Sequence, residues 1–228
     1  MGDSEQSTQT AEARAHDEEE LPAEPRAAQA GEQPVLDVEG PEDGEIVEEL
    51  DEETRARRDA ALRLVRKFGD PVLRATAVPV ERFDEGLRTE IARMGELMAD
   101  ALGVGLAATQ VGILHRVLVY KAYEDDPLTA LVNPSIEWAS EETEIAGEGC
   151  LSLPAVHVEV ERPAQVRVRA QDEHGEPVEV EADGLRARVI QHEIDHLDGV
   201  LILDRVSREA RKEAMREMRE AMEGGSRA

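Results

Sequence analysis

The sequence predicts an α+β domain: antiparallel strands packed around a central helix, with one helix on the N-terminal side and one at the C-terminus. Three observations carry this. Leu87, Ile91, Met94, Leu97, Met98 and Leu102 recur mostly at steps of three and four, the spacing of a helix with one buried face. A middle stretch from about residue 116 to 180 breaks into short, β-branched runs separated by turn residues. A second helical segment follows, and it carries the chemically sharpest pattern in the chain, His192-Glu193-Ile194-Asp195-His196.

Residues 1–55 come first and are set apart by composition. Residues 1–53 hold 19 acidic and 2 basic residues, while the remainder holds 33 against 24, so most of the formal charge of -26 belongs to this end. The segment is rich in Glu, Ala, Gln, Pro and Gly and has no aromatic residue, so it lacks the apolar surface that would offset the entropy of ordering. It is predicted to be a disordered acidic extension, with order beginning near Arg57. Residues 56–228 then form one folded domain, including a C-terminal helix from about 207, a size that one hydrophobic core can serve.

Within that domain the first helix carries Gly95, which weakens it by about 1 kcal/mol relative to alanine. Gly103 and Gly105 are predicted to end it. Strands are expected at 116–120, 131–136, 156–160, 166–170 and 177–180, the last two forming a hairpin around Glu173-His174-Gly175. The central helix is expected to open at Asp183, run from Leu185 to about Asp198 and stop at Gly199. After Ser207, residues Ala210, Ala214, Met218, Ala221 and Met222 fall on one side of a further amphipathic helix. No internal repeat is found.

The charge argues against a basic nucleic-acid-binding surface. Cys150 is the sole cysteine, so an intramolecular disulfide is excluded and a reducing compartment fits. No signal peptide, transit peptide or membrane-spanning run is recognised, and the expected location is cytoplasmic.

His192 and His196 lie four residues apart, so on a helix both imidazoles face one point while Glu193 stays free to handle a bound water. The bland alternative is a pair of surface histidines. A catalytic site of this type needs a third protein ligand and an open position. Cys150 is the candidate, although a lone cysteine is as readily a small core residue. Its setting, Gly147-Glu148-Gly149-Cys150-Leu151-Ser152-Leu153-Pro154, lets backbone approach a metal, and Pro154 is expected to stop regular pairing. A thiolate with two imidazoles suits Fe(II) or Zn(II). The segment from Gly103 to Gly112, GVGLAATQVG, is a further place where backbone passes close to something.

Taken together, the three segments resemble the peptide deformylase family, whose pattern is GxGLAAxQ, then EGCLSxP, then QHExDH. Every specified position is matched, by 103–110, 148–154 and 191–196, and the similarity runs from Phe68 to Arg205. The resemblance implies a hydrolase of protein biosynthesis that modifies nascent N-termini co-translationally, releasing formate from N-formylmethionyl peptides. It implies that Cys150, His192 and His196 hold one divalent metal, with Fe(2+) expected and Zn(2+), Ni(2+) or Co(2+) as substitutes. Glu193 would be the acid/base, and the Gln110 side chain with the Leu151 backbone N–H would stabilise the oxyanion. A tight site around Gly105, Gln110 and Leu151 would admit formyl and hinder acetyl.

Val104, Gly105, Leu185 and Val189, beside His192, would line the pocket for the methionine side chain. Arg188 stands near that wall where an aliphatic residue often sits, and its guanidinium is expected to reach solvent. In some relatives the C-terminal helix docks at the ribosomal exit tunnel, which Arg208, Arg211, Lys212, Arg216 and Arg219 would permit. No membrane and no specific nucleic acid is implied, and a monomer is the expectation. Two alternatives stay open: a zincin-type metallopeptidase, whose third ligand generally lies downstream of the helix, and a non-catalytic metal-binding protein.

Overall fold

A computed structural model describes residues 50–224, with side chains through 221. Residues 1–49, most of the segment whose disorder the composition predicts, lie outside these residues, as do 225–228.

Order begins earlier than expected. Helix α1 spans Glu52–Leu62, because the Asp51 side chain accepts from the Thr54 N–H at 2.9 Å and caps it. Arg57 is thus well inside a helix, and the predicted disorder does not extend through residue 55. Helix α2, Glu85–Asp100, is capped by Asp84 and buries Leu87, Ile91, Met94 and Met98, as the periodicity predicts, whereas Leu97 is half-buried and Leu102, beyond the helix, is exposed. Its end differs from expectation. Leu102, not a glycine, takes the left-handed conformation, with φ 57°. The Leu102 N–H reaches Ala99 O and the Gly103 N–H reaches Met98 O, a Schellman closure. Gly95 also gains a reason: a Cβ there would lie 2.3 Å from Leu128 Cδ2, so the glycine makes room for the loop that crosses the helix.

Seven strands follow among the described residues: β1 Gly105–Ala107, β2 Val117–Tyr120, β3 Thr129–Ala139, β4 Thr143–Cys150, β5 Leu153–Pro163, β6 Gln165–Gln171 and β7 Pro177–Asp183. Five form an antiparallel sheet in the order β1-β2-β3-β6-β7, and β4 pairs with β5 as a separate two-stranded hairpin. β2 shows how the larger sheet is buried on both sides. Val117 and Val119 join the cluster under α2, while Leu118 and Tyr120 join the cluster under the central helix α3, Gly184–Leu197. The Glu173-His174-Gly175 turn joins β6 and β7 as expected, with Asp172 accepting from the N–H groups of His174 and Glu176.

Two strands escaped the pattern, β1 and β4, and β5 begins at Leu153 instead of 156. Pro154 therefore does not stop pairing. It sits at the second residue of the strand, where a missing N–H is tolerated, beside a shift in register between Gly149 and Cys150. Asp183 occupies the N-cap position of α3 but makes no side-chain capping bond. Gly199, with φ 73°, terminates that helix, and a Cβ there would meet Arg74 O at 2.7 Å.

A third apolar cluster joins the hairpin to the C-terminus. Leu153, Val156, Val158 and Val160 pack with Leu201, Ile202 and Leu203 and with Ala214 and Met218 of helix α4, Arg208–Gly224. Half-buried Met215 also packs here, whereas Ala221 is exposed, so the buried stripe is narrower than the one read from sequence. The side chain of Met222 lies outside the described residues.

Candidate metal centre

The centre forms where the tip of the hairpin meets α3. Cys150 ends β4, and His192 and His196 stand one turn apart on the facing side of the helix, their rings 4.9 Å apart by centroid. The thiol and one nitrogen from each imidazole lie within 4.8 Å of one another, and Cys150 Sγ is 3.2 Å from His196 Nε2. The metal-ligand set expected from sequence is therefore brought together, from two elements far apart in the chain.

Glu148 orients the first histidine. It lies on the same face of β4 as Cys150, and its Oε2 is 3.0 Å from His192 Nδ1. An ionised carboxylate can only accept, so the imidazole donates from Nδ1 and keeps the Nε2 lone pair for a ligand. Ionisation is assured by the surroundings. Burial opposes the charge, but Arg162 and His192 overcome it and hold the Glu148 carboxyl well below the usual carboxylate range. Arg162 grips both carboxylate oxygens, at 2.6 and 2.9 Å, and also reaches Asp195 Oδ2 at 2.9 Å. Arg205 closes the chain with two further bonds to Asp195.

Arg188 belongs to this network, against expectation. It is 8% exposed, and its guanidinium does not reach solvent. Nη1 donates to Glu148 Oε1 at 2.8 Å and to Val160 O at 2.9 Å, and Nη2 donates to Glu144 O at 2.9 Å. The hairpin packs Glu148 and two carbonyls over this turn of the helix, so the guanidinium finds partners inside the protein and is covered from solvent. Glu148, Arg162, Asp195 and Arg205 were not singled out by sequence reasoning; the signals available were a glutamate two residues before the ligand cysteine and an aspartate inside the histidine motif.

Glu193 is buried beside the ligands, and its Oε2 has no hydrogen-bond partner. Burial raises its carboxyl above the ordinary value, against the pull of His192 and His196. Desolvation opposes ionisation of the Cys150 thiol, yet His196 and His192 outweigh it and bring its pKa well below the usual thiol value. A thiolate, two imidazoles and an unpartnered carboxylate oxygen fit a divalent cation with a water beside it.

Gly105 shows why the glycine-rich segment has its composition: a Cβ there would sit 2.4 Å from Glu193 Oε1. Gln110, 1% exposed, lies on the same segment. Its Oε1 accepts from the Ala107 N–H at 2.8 Å, which turns Nε2 toward Ser152 Oγ, 3.3 Å away, and Cys150 Sγ, 3.8 Å away. Thr109 ties this segment to α3 through a bond to His196 O. Leu151 follows the ligand cysteine in the turn between β4 and β5. Of the predicted pocket residues, Gly105 touches the centre and Val104 beside it is 44% exposed. Leu185 and Val189 pack into the apolar cluster between α3 and the five-stranded sheet.

Comparison with known proteins agrees with this geometry. The family model described as polypeptide deformylase matches residues 62–212. Peptide deformylase of Thermotoga neapolitana is 56% identical over 142 residues, covering 62% of this chain and 85% of that protein. That of Acidothermus cellulolyticus is 50% identical over 161 residues, 71% of this chain and 88% of the relative. Among solved structures, peptide deformylase from Legionella pneumophila aligns with a TM-score of 0.68 at 38% identity, covering 72% of this chain and 97% of that one. The Thermotoga maritima enzyme aligns at 0.61 and 52% identity, covering 63% and 96%. Cysteine and histidine ligands converging across the hairpin tip, three motifs intact and a family match through both helices α2 and α3 together mean that the chain belongs to the polypeptide deformylase family, metal-dependent hydrolases of the N-formyl amide.

Proposed function

We propose that Cys150, His192 and His196 hold one divalent ion, ferrous iron in the cell, and that Glu193, Gln110 and the Leu151 N–H carry out the deformylation of N-formylmethionyl nascent chains around it. The observation that supports this most is the burial of Glu193, with one carboxylate oxygen unpartnered, against Gly105 and beside three converging ligand atoms. When bound, the ion supplies Lewis acidity that brings the pKa of water toward neutrality.

Glu193 takes the proton from water, a role that its raised pKa suits, and delivers it to the departing amine. The formyl oxygen gains charge as the carbonyl is attacked, and Gln110 Nε2 and the Leu151 N–H face that charge. Gln110 is prepared for this because its Oε1 is already committed to Ala107. Gly105 leaves room for the Glu193 carboxylate, so the acid/base stands close beside an acyl carbon that carries only hydrogen. Val104, Gly105, Leu185 and Val189 form the methionine pocket in this reading, with the side-chain stems of α3 as its wall.

The reaction is tested by formate release from formyl-Met-Ala-Ser with iron-loaded protein prepared without oxygen, and by the absence of casein hydrolysis. Glu193→Ala should keep the metal and lose about 10²–10⁴-fold in kcat. Full turnover by that variant would remove Glu193 from the mechanism. Air should inactivate the iron form faster than a nickel- or zinc-loaded one, since a ferrous thiolate is open to oxidation; equal lifetimes would refute that oxidative lability.

No described helix is long and apolar enough to cross a membrane. We place the enzyme in the cytoplasm as a monomer with a single catalytic domain, meeting nascent chains near the ribosome through α4. Arg208, Arg211, Lys212 and Arg219 line one shallow face of that helix together with Met215. Unchanged ribosome co-sedimentation after removal of residues 207–228 would end the ribosome proposal.

A further inference from the structure

The turn between β4 and β5 consists of Leu151 and Ser152, and both of its carbonyls are taken up by the segment that follows α1. Lys67 Nζ donates to Leu151 O at 2.8 Å, and the Phe68 N–H donates to Ser152 O at 2.9 Å. One residue earlier, the Arg66 N–H donates to Gln110 O at 2.7 Å. Three successive residues therefore reach the two segments that carry the oxyanion donors, one on the glycine-rich segment and one at the hairpin tip. Two of these bonds come from backbone. Phe68 also packs its ring on the hairpin cluster, but of the three bonds only the one from Lys67 is made by a side chain, so it is the one that substitution can remove.

The placement of Leu151 explains why a side chain is needed there. Its side chain packs on the α2 cluster, where a Cβ at Gly103 would come within 3.0 Å of Leu151 Cδ1. Packing of that kind is non-directional and leaves the peptide planes of a two-residue turn free to tilt. A charge-assisted bond from an ammonium to Leu151 O is directional and stronger than a neutral one. It fixes the plane of the Leu151–Ser152 peptide, and through the tight turn it restricts the neighbouring Cys150–Leu151 plane, which bears the N–H.

We infer that Lys67 is a positioning residue for the oxyanion site: it holds the turn so that the Leu151 N–H points at the developing charge, without touching substrate. This rests on the deformylase roles given above for Leu151 and Gln110. The oxyanion exists only in the transition state, so a loosened donor lowers kcat and leaves KM in place.

Formate release should be measured for the parent protein, Lys67→Met, Lys67→Arg and Gln110→Leu, all loaded with the same metal. Lys67→Met keeps the aliphatic stem and removes the donor; kcat should fall about tenfold, a fraction of the roughly 10²-fold lost with an entire oxyanion donor. KM should stay within about twofold. Lys67→Arg should recover most of kcat, because a guanidinium also donates to a carbonyl. Hydrogen–deuterium exchange of residues 150–153 should rise in Lys67→Met and not in Lys67→Arg. A parent protein that releases no formate overturns the deformylase reading, and this inference with it. A parent that releases formate, with Gln110→Leu impaired and Lys67→Met at parental kcat, overturns the inference alone. So does a KM increase that accounts for the whole loss in Lys67→Met.

Discussion

Helix α3 is held on two sides by different physics. Toward the five-stranded sheet it presents Ala187, Val189, Ile190, Ile194 and Leu197, which pack with Val166, Val168, Ala170 and Ala182. Toward the β4–β5 hairpin it presents Arg188, His192 and Asp195, which meet Glu148 and Arg162 through buried ion pairs and hydrogen bonds. Hydrocarbon contact is proportional to area and nearly indifferent to orientation. Ionic contact in a buried site is costly to assemble and contributes little net stability, but it specifies distance and angle. The same helix is thus anchored by one face and aimed by the other, and the aimed face carries the ligands.

Three substitutions separate these roles. The largest effect is expected on the anchored face. Ile190 is fully buried, and Ile190→Ala should cost about 2–5 kcal/mol of stability through lost burial and the cavity left behind. Metal affinity of the folded fraction should be unchanged. If chemical denaturation shows the loss but metal titration shows an equal one, anchoring and aiming are not separable.

Next in size is Glu148→Gln, on the aimed face. The amide is nearly isosteric but neutral and can donate as well as accept, so it no longer fixes the tautomer of His192, and Arg162 and Arg188 lose their counter-charge. Loss of such an outer partner typically costs 10–100-fold in metal affinity, and chelator competition would measure it. There is also a pH signature. The Glu148 carboxyl is held below its ordinary value when folded, so its stabilisation is complete above about pH 4.3 and is lost as pH falls through the lower folded value. The acid limb of the stability profile should therefore flatten in Glu148→Gln; an unchanged limb would assign acid sensitivity to other groups.

The two faces were not equally legible in the sequence. Periodicity located α2 and α3 within a few residues, because an apolar stripe is a local pattern. A continuous apolar run marked β2, and alternation found β6 and β7. β1 was invisible: three residues, all buried, have no pattern to read. β4 was hidden by its exposure and glycines, since Glu144, Ile145, Gly147 and Gly149 lack an apolar alternation. In the candidate site, Cys150, His192 and His196 come together as the motifs suggest, because ligand chemistry restricts residue type and spacing. The ionic network was not legible. Which carboxylate a given arginine meets depends on how the hairpin docks on the helix, and Lys67 meets Leu151 O across 84 positions of chain.

Arg188 gives the smallest and most discriminating effect, because the sequence and the structure assign it different surroundings. If its guanidinium lay at the edge of the methionine pocket, Arg188→Met would alter KM and leave metal binding and stability alone. In the structure, Arg188 bonds Glu144 O, Val160 O and Glu148 Oε1, tying both strands of the hairpin to α3 one turn before His192. Removing one member of a buried ion pair usually costs 3–5 kcal/mol, because the partner charge is stranded. Glu148 keeps both bonds to Arg162 and the one to His192, and Glu144 is exposed enough for its carbonyl to rehydrate, so the loss here should be about 1–2 kcal/mol. Metal affinity should fall by less than about fivefold, well short of the Glu148→Gln effect, since Arg188 acts on His192 only through the shared carboxylate. Thermal unfolding of the apo protein, chelator competition and KM for formyl-Met-Ala-Ser, measured together, distinguish the outcomes. A change confined to KM would return Arg188 to the pocket edge and leave Arg162 as the residue that aims the helix.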